Sequence, residues 1–292
     1  MAKTGDQDQL GTAEGAAMSR ALHAKHAIDP ILDDDWAVDL LLPENRERVV
    51  SSSDISSVQV TAGFDASPIF ALGVASLRYA EDEVERCVAR GVEQVLVLGA
   101  GFDTFSLRRG DLSPGLRVFE IDHPDVQALK RERIDSSART PARTPYFVPI
   151  DFETMRLSEE LARSDFDPAR PAVLSWMNTI HYLSEEATTS TLNEIHALLA
   201  PGSRIVLNYS PNVAFTEDQL AFLARLAKVI EAAGEPGRSR WTPKDFETLL
   251  IGIGYSIVEH ATEMDLTTRY FEGRADGLKP GVPGRIITAE RD

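Results

Sequence analysis

Short apolar segments recur along the chain and alternate with longer amphipathic segments. The short apolar segments are rich in Val, Ile, Leu and Phe, which indicates strands buried on both faces of a sheet. They lie at 94–98, 117–121, 146–150, 172–176 and 204–208. Further strands near 255–259 and 285–289 are separated by a glycine-containing loop with no helix long enough for a crossover. We therefore expect this last pair to run antiparallel at a sheet edge.

The amphipathic segments between the strands predict helices on both faces of this sheet. Over residues 73–90, apolar side chains recur at helical spacing until Gly91 ends the pattern. The alternation predicts the α/β fold class, a doubly wound, mostly parallel, seven-stranded sheet with an antiparallel edge strand.

Two regions depart from the alternation of strands and helices. Residues 1–72 carry helical segments broken by polar stretches, and we expect them to form an N-terminal helical cap. Residues 73–292 are expected to form the α/β domain, with a helical lid insertion around 211–240.

Net charge and cysteine content indicate which binding partners are disfavoured and which cell compartment is expected. Thirty Lys and Arg against 46 Asp and Glu give a formal net charge of −16. Such a field repels phosphate backbones and anionic lipids, so neither nucleic acid nor membrane is an expected partner. A single cysteine, Cys87, and the absence of an apolar leader predict a cytoplasmic protein. No oligomeric state is predicted, and no histidines stand at metal-ligand spacing, so no metal site is expected.

The turn after the strand at 94–98 is the first candidate binding site. Gly99 and Gly101 allow a tight turn and a close approach of a ligand to the backbone. A dinucleotide-binding fingerprint would place a third glycine where Thr104 stands, and Asp103 puts a negative charge where a pyrophosphate would lie. The turn therefore favours a ligand other than a dinucleotide.

An acidic strand end follows about twenty residues after the turn, at the distance from which a carboxylate can bind ribose hydroxyls. Both Glu120 and Asp122 lie there, on the same side of the strand. Asp122 is the better candidate because it stands where the strand becomes a loop.

Several motifs together resemble a known family. They are VLVLGAGFDTFSLRR at 95–109, VFEIDHPDVQALKRERI at 118–134, FVPIDF at 147–152, and further matches at 77–84, 166–176 and 269–278. The ordered set is similar to the S-adenosylmethionine-dependent methyltransferases of the leucine carboxyl methyltransferase family, and most similar to their bacterial small-molecule branch. The resemblance implies a class I methyltransferase, Rossmann-like fold and S-adenosyl-L-methionine as cofactor.

The resemblance also implies roles for individual residues. Arg78 would pair with the carboxylate of the methionine moiety, and the backbone of Gly99, Ala100 and Gly101 would line that moiety. Asp122 would bind the ribose, with His123 beside the cofactor. Asp151 and Phe152 would flank the adenine, Asp151 accepting a hydrogen bond from its exocyclic amine.

The acceptor side departs from the family pattern. Met177 stands where the protein-modifying members carry a glutamate, so a protein C-terminal leucine is not the expected substrate. The expected substrate pocket comprises Met177, Asn178, Thr179 and Tyr182, beyond the end of the fourth strand of the alternating pattern. His181 is either a general base for a hydroxyl acceptor or a structural histidine packed against Tyr182.

The sequence thus predicts methyl transfer by in-line displacement to a carboxylate or hydroxyl oxygen of a small molecule. A carboxylate is already ionised at neutral pH and needs no base, whereas a hydroxyl does. A nicotinamide-dependent oxidoreductase is an alternative, which the missing third glycine disfavours. A protein that binds the cofactor without transferring a methyl group is another.

Overall fold

The structure is a computed structural model that describes residues 11–54, 60–61, 64–65, 67–151, 154–232 and 237–292. Its strands, in chain order, are β1 Val60–Thr61, β2 Phe64–Asp65, β3 Gln94–Leu98, β4 Arg117–Asp122, β5 Tyr146–Pro149, β6 Val173–Trp176, β7 Arg204–Tyr209, β8 Tyr255–Thr262 and β9 Arg285–Arg291. Strands β1 and β2 pair with each other in a short antiparallel hairpin, and the rest form one sheet.

The main sheet has seven strands in the order β5-β4-β3-β6-β7-β9-β8. Strands β3 to β7 are mutually parallel, and β9 runs antiparallel to both of its neighbours, β7 and β8. The predicted doubly wound, mostly parallel sheet is confirmed, with the antiparallel strand second from the edge. The chain winds outward from β3 to β5 and returns to β6, so the strand order reverses between β3 and β6. Ligands bind at such a reversal, beyond the carboxyl ends of the strands.

Helices connect these strands. They are α1 Gly11–His26, α2 Pro43–Ser51, α3 Ser67–Val88, α4 Phe105–Arg108, α5 Pro124–Ser136, α6 Leu157–Ala162, α7 Glu185–Leu198, α8 Glu217–Ala232, α9 Pro243–Ile253 and α10 Glu263–Leu266. Single 3-10 turns lie at Ala37–Leu40 and Ile180–Tyr182, and a π-helical turn, Thr267–Phe271, follows α10. Within the described ranges, no helix is both long enough and apolar enough to cross a membrane.

Local signals in the sequence set most of the helix ends. The Ser184 and Thr242 side chains cap α7 and α9 by accepting hydrogen bonds from backbone N–H groups in the first turn. Gly254, at φ 115°, ends α9 in the left-handed conformation. Helix α3 begins six residues earlier than its apolar pattern indicated, at Ser67 rather than residue 73. It therefore spans both sides of the expected boundary at residue 72, and the division into a cap and an α/β domain stays a prediction.

The sheet is covered on both faces, as its apolar strands require. Helix α3 covers one face with buried side chains that include Tyr79, Val84 and Cys87. Helices α6, α7 and α9 cover the other face. Each fully buried large apolar side chain contributes about 1.5–3 kcal/mol to folding.

A buried charge network fastens the N-terminal segment to the turn after β3. Arg20 of α1 pairs with Asp34 at 2.7 Å and donates to the carbonyl of Phe102 at 2.6 Å. Asp34, which is fully buried, also accepts from the Thr104 hydroxyl at 2.6 Å. Burial disfavours the charge of Asp34, but the neighbouring Arg20 and Arg108 outweigh it and hold the pKa of the carboxyl below its ordinary value.

We expect Asp34→Asn to lower the free energy of unfolding by about 3 kcal/mol or more, because it leaves the buried Arg20 guanidinium without its charge partner and leaves Arg108 paired with Glu81 alone. The matched control is Asp35→Asn, since the Asp35 carboxylate is 61% exposed and pairs with Arg139 at the surface. That variant should lose about 1 kcal/mol or less. Urea denaturation measures both, and equal losses would contradict the structural role of Asp34.

His23 gives the fold a dependence on pH. Its ring is fully buried, accepts a hydrogen bond from the Ile31 N–H and packs edge-on against Phe70. Burial, aided by Arg274, lowers the pKa of His23 from 6.5 to about 4.

The unfolded chain therefore takes up this proton first, and stability falls as the pH drops from about 6.5 towards 4. Over that interval His23 accounts for a loss of about 3 kcal/mol. In His23→Gln, whose amide oxygen can accept from Ile31 but does not titrate, the fall should be shallower. Denaturant midpoints measured from pH 7 to 4 test this, and a slope equal to that of the wild type would show the assignment to be wrong.

Candidate functional site

The turn between β3 and α4 lies at the reversal of the sheet. Gly99 and Gly101 have φ values of 67° and 45°, in the left-handed region that favours glycine. The N–H groups of Gly99 and Ala100 donate to the carbonyl of Ile121, at 2.9 and 3.2 Å, which ties the turn to the end of β4.

The surroundings of the turn leave little room for side chains. A Cβ atom at Gly99 would lie 2.6 Å from the Thr179 hydroxyl, and one at Gly101 would lie 3.8 Å from the Cβ of Ala13 in α1. The turn is therefore bordered by the segment after β6 on one side and by the N-terminal helix on the other.

Asp122 closes the turn at the end of β4. Its carboxylate accepts hydrogen bonds from the N–H groups of both Gly101 and His123, the latter at 2.6 Å. Burial raises the pKa of Asp122 in spite of these two donors. Each carboxylate oxygen keeps a further lone pair for a ligand hydroxyl.

Glu120, the other acid of the strand, has a different role. It forms a buried ion pair with Lys130 at 2.5 Å and accepts from the Ser106 hydroxyl at 2.7 Å. Both ends of the ion pair are 1% exposed. Burial raises the pKa of Glu120 even beside Lys130. Only Asp122 of the two acids faces the turn.

The remaining cofactor candidates on this side follow the ends of β4 and β5. His123 caps α5, its Nδ1 accepting from the Asp125 N–H at 3.3 Å. Asp151 follows β5 and accepts from the Thr154 hydroxyl at 2.9 Å. The Ile150 N–H donates to the Asp122 carbonyl, so these strand ends are adjacent. Phe152 lies outside the described residues.

Arg78 forms its ion pairs in a separate cleft. Its guanidinium pairs with Asp82 and, at 3.3 Å, with Glu85, both on α3. The cleft has a volume of about 670 Å³ and is also lined by Glu81 and Arg108. Residues two apart on a helix point in directions about 200° apart. Ser76, two residues earlier, is on another side of α3, and its hydroxyl contacts Asn178 in the segment after β6.

The segment after β6 forms the wall opposite the turn. Met177 is 7% exposed and belongs to the apolar cluster under α3. Asn178 has a φ of 57°, and its backbone N–H donates to the Asn208 side chain at the end of β7. The Thr179 hydroxyl donates to the Met177 carbonyl at 2.9 Å and lies against Gly99.

His181 and Tyr182 continue this wall. Their rings lie 4.1 Å apart between centroids, in a tilted arrangement. Burial lowers the pKa of His181 from 6.5 to about 4, so the imidazole is neutral at neutral pH. The ring contact is what a structural role requires, and the lowered pKa keeps the ring neutral but makes it a weaker base than an ordinary imidazole.

The insertion between β7 and α9 is attached to the same wall. The backbone N–H of Arg238 donates to the His181 carbonyl at 2.7 Å, and the Ser239 hydroxyl donates to the Ile180 carbonyl at 3.2 Å. The insertion contains α8, and none of the described side chains of that helix is fully buried.

Three contributors to the site were not singled out from the sequence: Ala13, Ser76 and Asn208. Asn208 had a usable signal, because it is a polar residue at the carboxyl end of an apolar strand. Ala13 and Ser76 carry no such signal, since each is a small residue within a helix. Within the described ranges, no group of three or more His, Cys, Asp or Glu side chains could hold a metal ion.

Comparisons with known proteins identify the family to which the chain is similar. The family model described as leucine carboxyl methyltransferase matches residues 13–196. A Bacillus subtilis (strain 168) protein named "Putative S-adenosyl-L-methionine-dependent methyltransferase YktD" is 28% identical over 282 residues, covering 90% of this chain and 91% of the relative. A Mycobacteroides abscessus protein, also named as a putative S-adenosyl-L-methionine-dependent methyltransferase, is 30% identical over 225 residues, 73% of each chain.

Solved structures support the fold. A DUF574 family protein from Streptomyces avermitilis aligns with a TM-score of 0.60 at 19% identity, covering 98% of this chain and 100% of that one. A protein from Thermobifida fusca described as a putative methyltransferase aligns with a TM-score of 0.57 at 18% identity, covering 92% and 96%.

The family match spans the turn, Asp122 and the wall after β6, the three parts of the candidate site. It confirms the predicted fold class and the predicted class of enzyme, a methyltransferase, and the names of the relatives agree with the predicted cofactor. The chain belongs to the leucine carboxyl methyltransferase family.

Proposed function

We propose that this chain transfers the methyl group of S-adenosyl-L-methionine to an oxygen nucleophile of a small molecule. One observation carries the proposal. The Asp122 carboxylate is held by two backbone N–H groups beside the glycine turn, where it could accept ribose hydroxyls, and an uncharged polar wall lies across the turn at Thr179.

The described residues fit this cofactor. Asp122 would accept the ribose hydroxyls, and Asp151 at the next strand end would accept from the adenine amine. The glycine turn would hold the amino-acid end against bare backbone. Arg78 would reach the methionine carboxylate only by leaving Asp82 and Glu85, so its role stays a prediction.

The same turn disfavours a nicotinamide dinucleotide. Asp103 keeps its carboxylate at the turn, where it accepts from the Phe105 N–H at 2.8 Å. Thr104, at the third glycine position, is tied to Asp34. A negative charge and a fixed side chain oppose a pyrophosphate, whereas a sulfonium is cationic.

The acceptor side supports a small molecule. The wall offers the amide of Asn178, the hydroxyl of Thr179 and the neutral imidazole of His181. The C-terminal end of the insertion, at Arg238 and Ser239, is hydrogen-bonded directly to this wall. We infer that residues 211–240 form a lid over the acceptor and thereby exclude water and bulky substrates.

Bound S-adenosylmethionine supplies a methyl group on a positively charged sulfur, which leaves as a neutral thioether. The protein aligns the acceptor oxygen with the sulfur–carbon bond and excludes water. For a hydroxyl acceptor, His181 would take the proton as the oxygen–carbon bond forms. For a carboxylate acceptor, no proton moves, and His181 contributes packing alone.

Asp122→Asn should weaken binding of S-adenosylhomocysteine about tenfold or more. The NH₂ group of the new side chain would meet a backbone N–H, donor against donor, and the ribose hydroxyls would lose a charged acceptor. The matched control is Asp125→Asn, whose carboxylate is 86% exposed. Isothermal titration calorimetry measures both affinities. Binding as tight in Asp122→Asn as in the wild type would contradict the ribose role.

The reaction itself can be tested with methyl-labelled S-adenosylmethionine and a small-molecule extract of cells. We expect labelled products, which base treatment divides into esters that release methanol and ethers that do not. His181→Ala should lower ether formation about 100-fold or more and leave ester formation unchanged within about threefold. No labelled product from the wild type, with S-adenosylhomocysteine still bound, would favour a cofactor-binding protein without transfer.

A further inference from the structure

Asn178 adopts a conformation that most residues avoid. In the part of the chain that the structure describes, it is the one residue other than glycine with a positive φ, 57°. Asparagine tolerates this region better than most residues, yet glycine would adopt it without strain. Such conformations persist where the surroundings enforce them, and they cluster at functional sites.

Asn208 enforces this conformation from the neighbouring strand. Its Oδ1 accepts from the Asn178 backbone N–H at 2.6 Å, and its Nδ2 donates to Asn178 Oδ1 at 2.7 Å. One amide group therefore holds both the backbone and the side chain of Asn178. The ends of β6 and β7 are joined in this way beyond their last paired residues, Trp176 and Leu207.

Ser76 adds a third element to the same point. Its hydroxyl lies 3.3 Å from Asn178 Oδ1 and 2.7 Å from the Gly73 carbonyl, and the residue is fully buried in α3. Asn178 Oδ1 thus accepts from Asn208, and the Ser76 hydroxyl, whose single proton is closer to the Gly73 carbonyl, packs beside it. We call Asn178, Asn208 and Ser76 the amide clamp.

The clamp determines where Thr179 lies. The turn at Asn178 places the Thr179 hydroxyl 2.6 Å from the position of a Gly99 Cβ, and a hydrogen bond to the Met177 carbonyl keeps it there. Asp122 belongs to the other half of the site, where its carboxylate binds the N–H groups of Gly101 and His123.

The order of strands relates the clamp to one part of the cofactor. Asp151 follows β5 and Asp122 ends β4, so adenine and ribose lie over those strands if the proposed function holds. The amino-acid end must then extend over the next strands in the sheet, β3 and β6. Gly99 and Thr179 stand at those strand ends.

We propose that Asn208 is a positioning residue of the methyltransferase, acting through Asn178 to hold Thr179 against the glycine turn and so to shape the site for the amino-acid end of the cofactor. The inference rests on the proposed function, because it assumes that S-adenosylmethionine occupies the turn.

The test compares two ligands in Asn208→Ala. S-adenosylhomocysteine carries the amino-acid end, and 5′-methylthioadenosine has the same nucleoside and sulfur without it. We expect the Kd for S-adenosylhomocysteine to rise about tenfold and the Kd for methylthioadenosine to stay within about twofold. General loosening of the fold would weaken both ligands alike. Asn193→Ala is the control, because its amide lies on the exposed surface of α7 and donates to the Thr189 carbonyl.

A second variant tests the same contacts in case Asn208→Ala does not fold. Asn178→Gly keeps the positive φ without strain but loses the side-chain half of the clamp. We expect it to weaken S-adenosylhomocysteine in the same selective way, and the double variant to add little, because both changes break one unit.

The outcomes separate the two proposals. Tight binding of S-adenosylhomocysteine by the wild type and equally tight binding by Asn208→Ala would overturn the role of Asn208 alone. Equal weakening of both ligands would also overturn it, in favour of a structural role. No binding of either ligand by the wild type would overturn the proposed function and the clamp with it.

Discussion

The carboxylate of Asp122 is the interaction on which the site depends. It accepts from the N–H of Gly101 across the turn and from the N–H of His123 in its own loop, so one side chain fixes two backbone segments. The glycines make this possible, because their positive φ values aim the Gly101 N–H at the end of the neighbouring strand. The turn, the Asp122 carboxylate and the start of α5 are therefore held together as one unit. Such preorganisation reduces the ordering cost of binding.

Buried charges attach the rest of the molecule to this unit. Arg20 and Asp34 connect the N-terminal helix to Phe102 and Thr104, directly after the turn. Removing these ions from water is unfavourable, and their mutual contacts and hydrogen bonds must offset that cost. The geometry of the network is consequently specific, and it places α1 beside Gly101. The N-terminal segment thus contributes a border of the candidate site.

The acceptor side is built differently. Neutral groups dominate the wall after β6, and amide and hydroxyl hydrogen bonds determine its shape. His181 remains uncharged there because burial disfavours its protonated form. The insertion is fastened to the wall through backbone carbonyls of Ile180 and His181, so a change of side chain at these positions need not detach it. This half of the candidate site can vary in chemistry while the half around Asp122 and the glycine turn keeps its frame.

The sequence by itself determined the strands, the glycine turn and the acid that closes it, because these depend on local rules. A parallel strand must be apolar, a turn with positive φ favours glycine, and the carboxyl ends of parallel strands meet at one edge. The sequence favoured Asp122 over Glu120 by its place at the strand end, and the tertiary structure shows the physical reason, since Lys130 holds Glu120 in a buried ion pair. Only the tertiary structure showed that Arg78 pairs along its own helix, and that Asn208 holds Asn178. These contacts join residues distant in the chain or depend on the face of a helix, and their partners follow from packing rather than from local pattern.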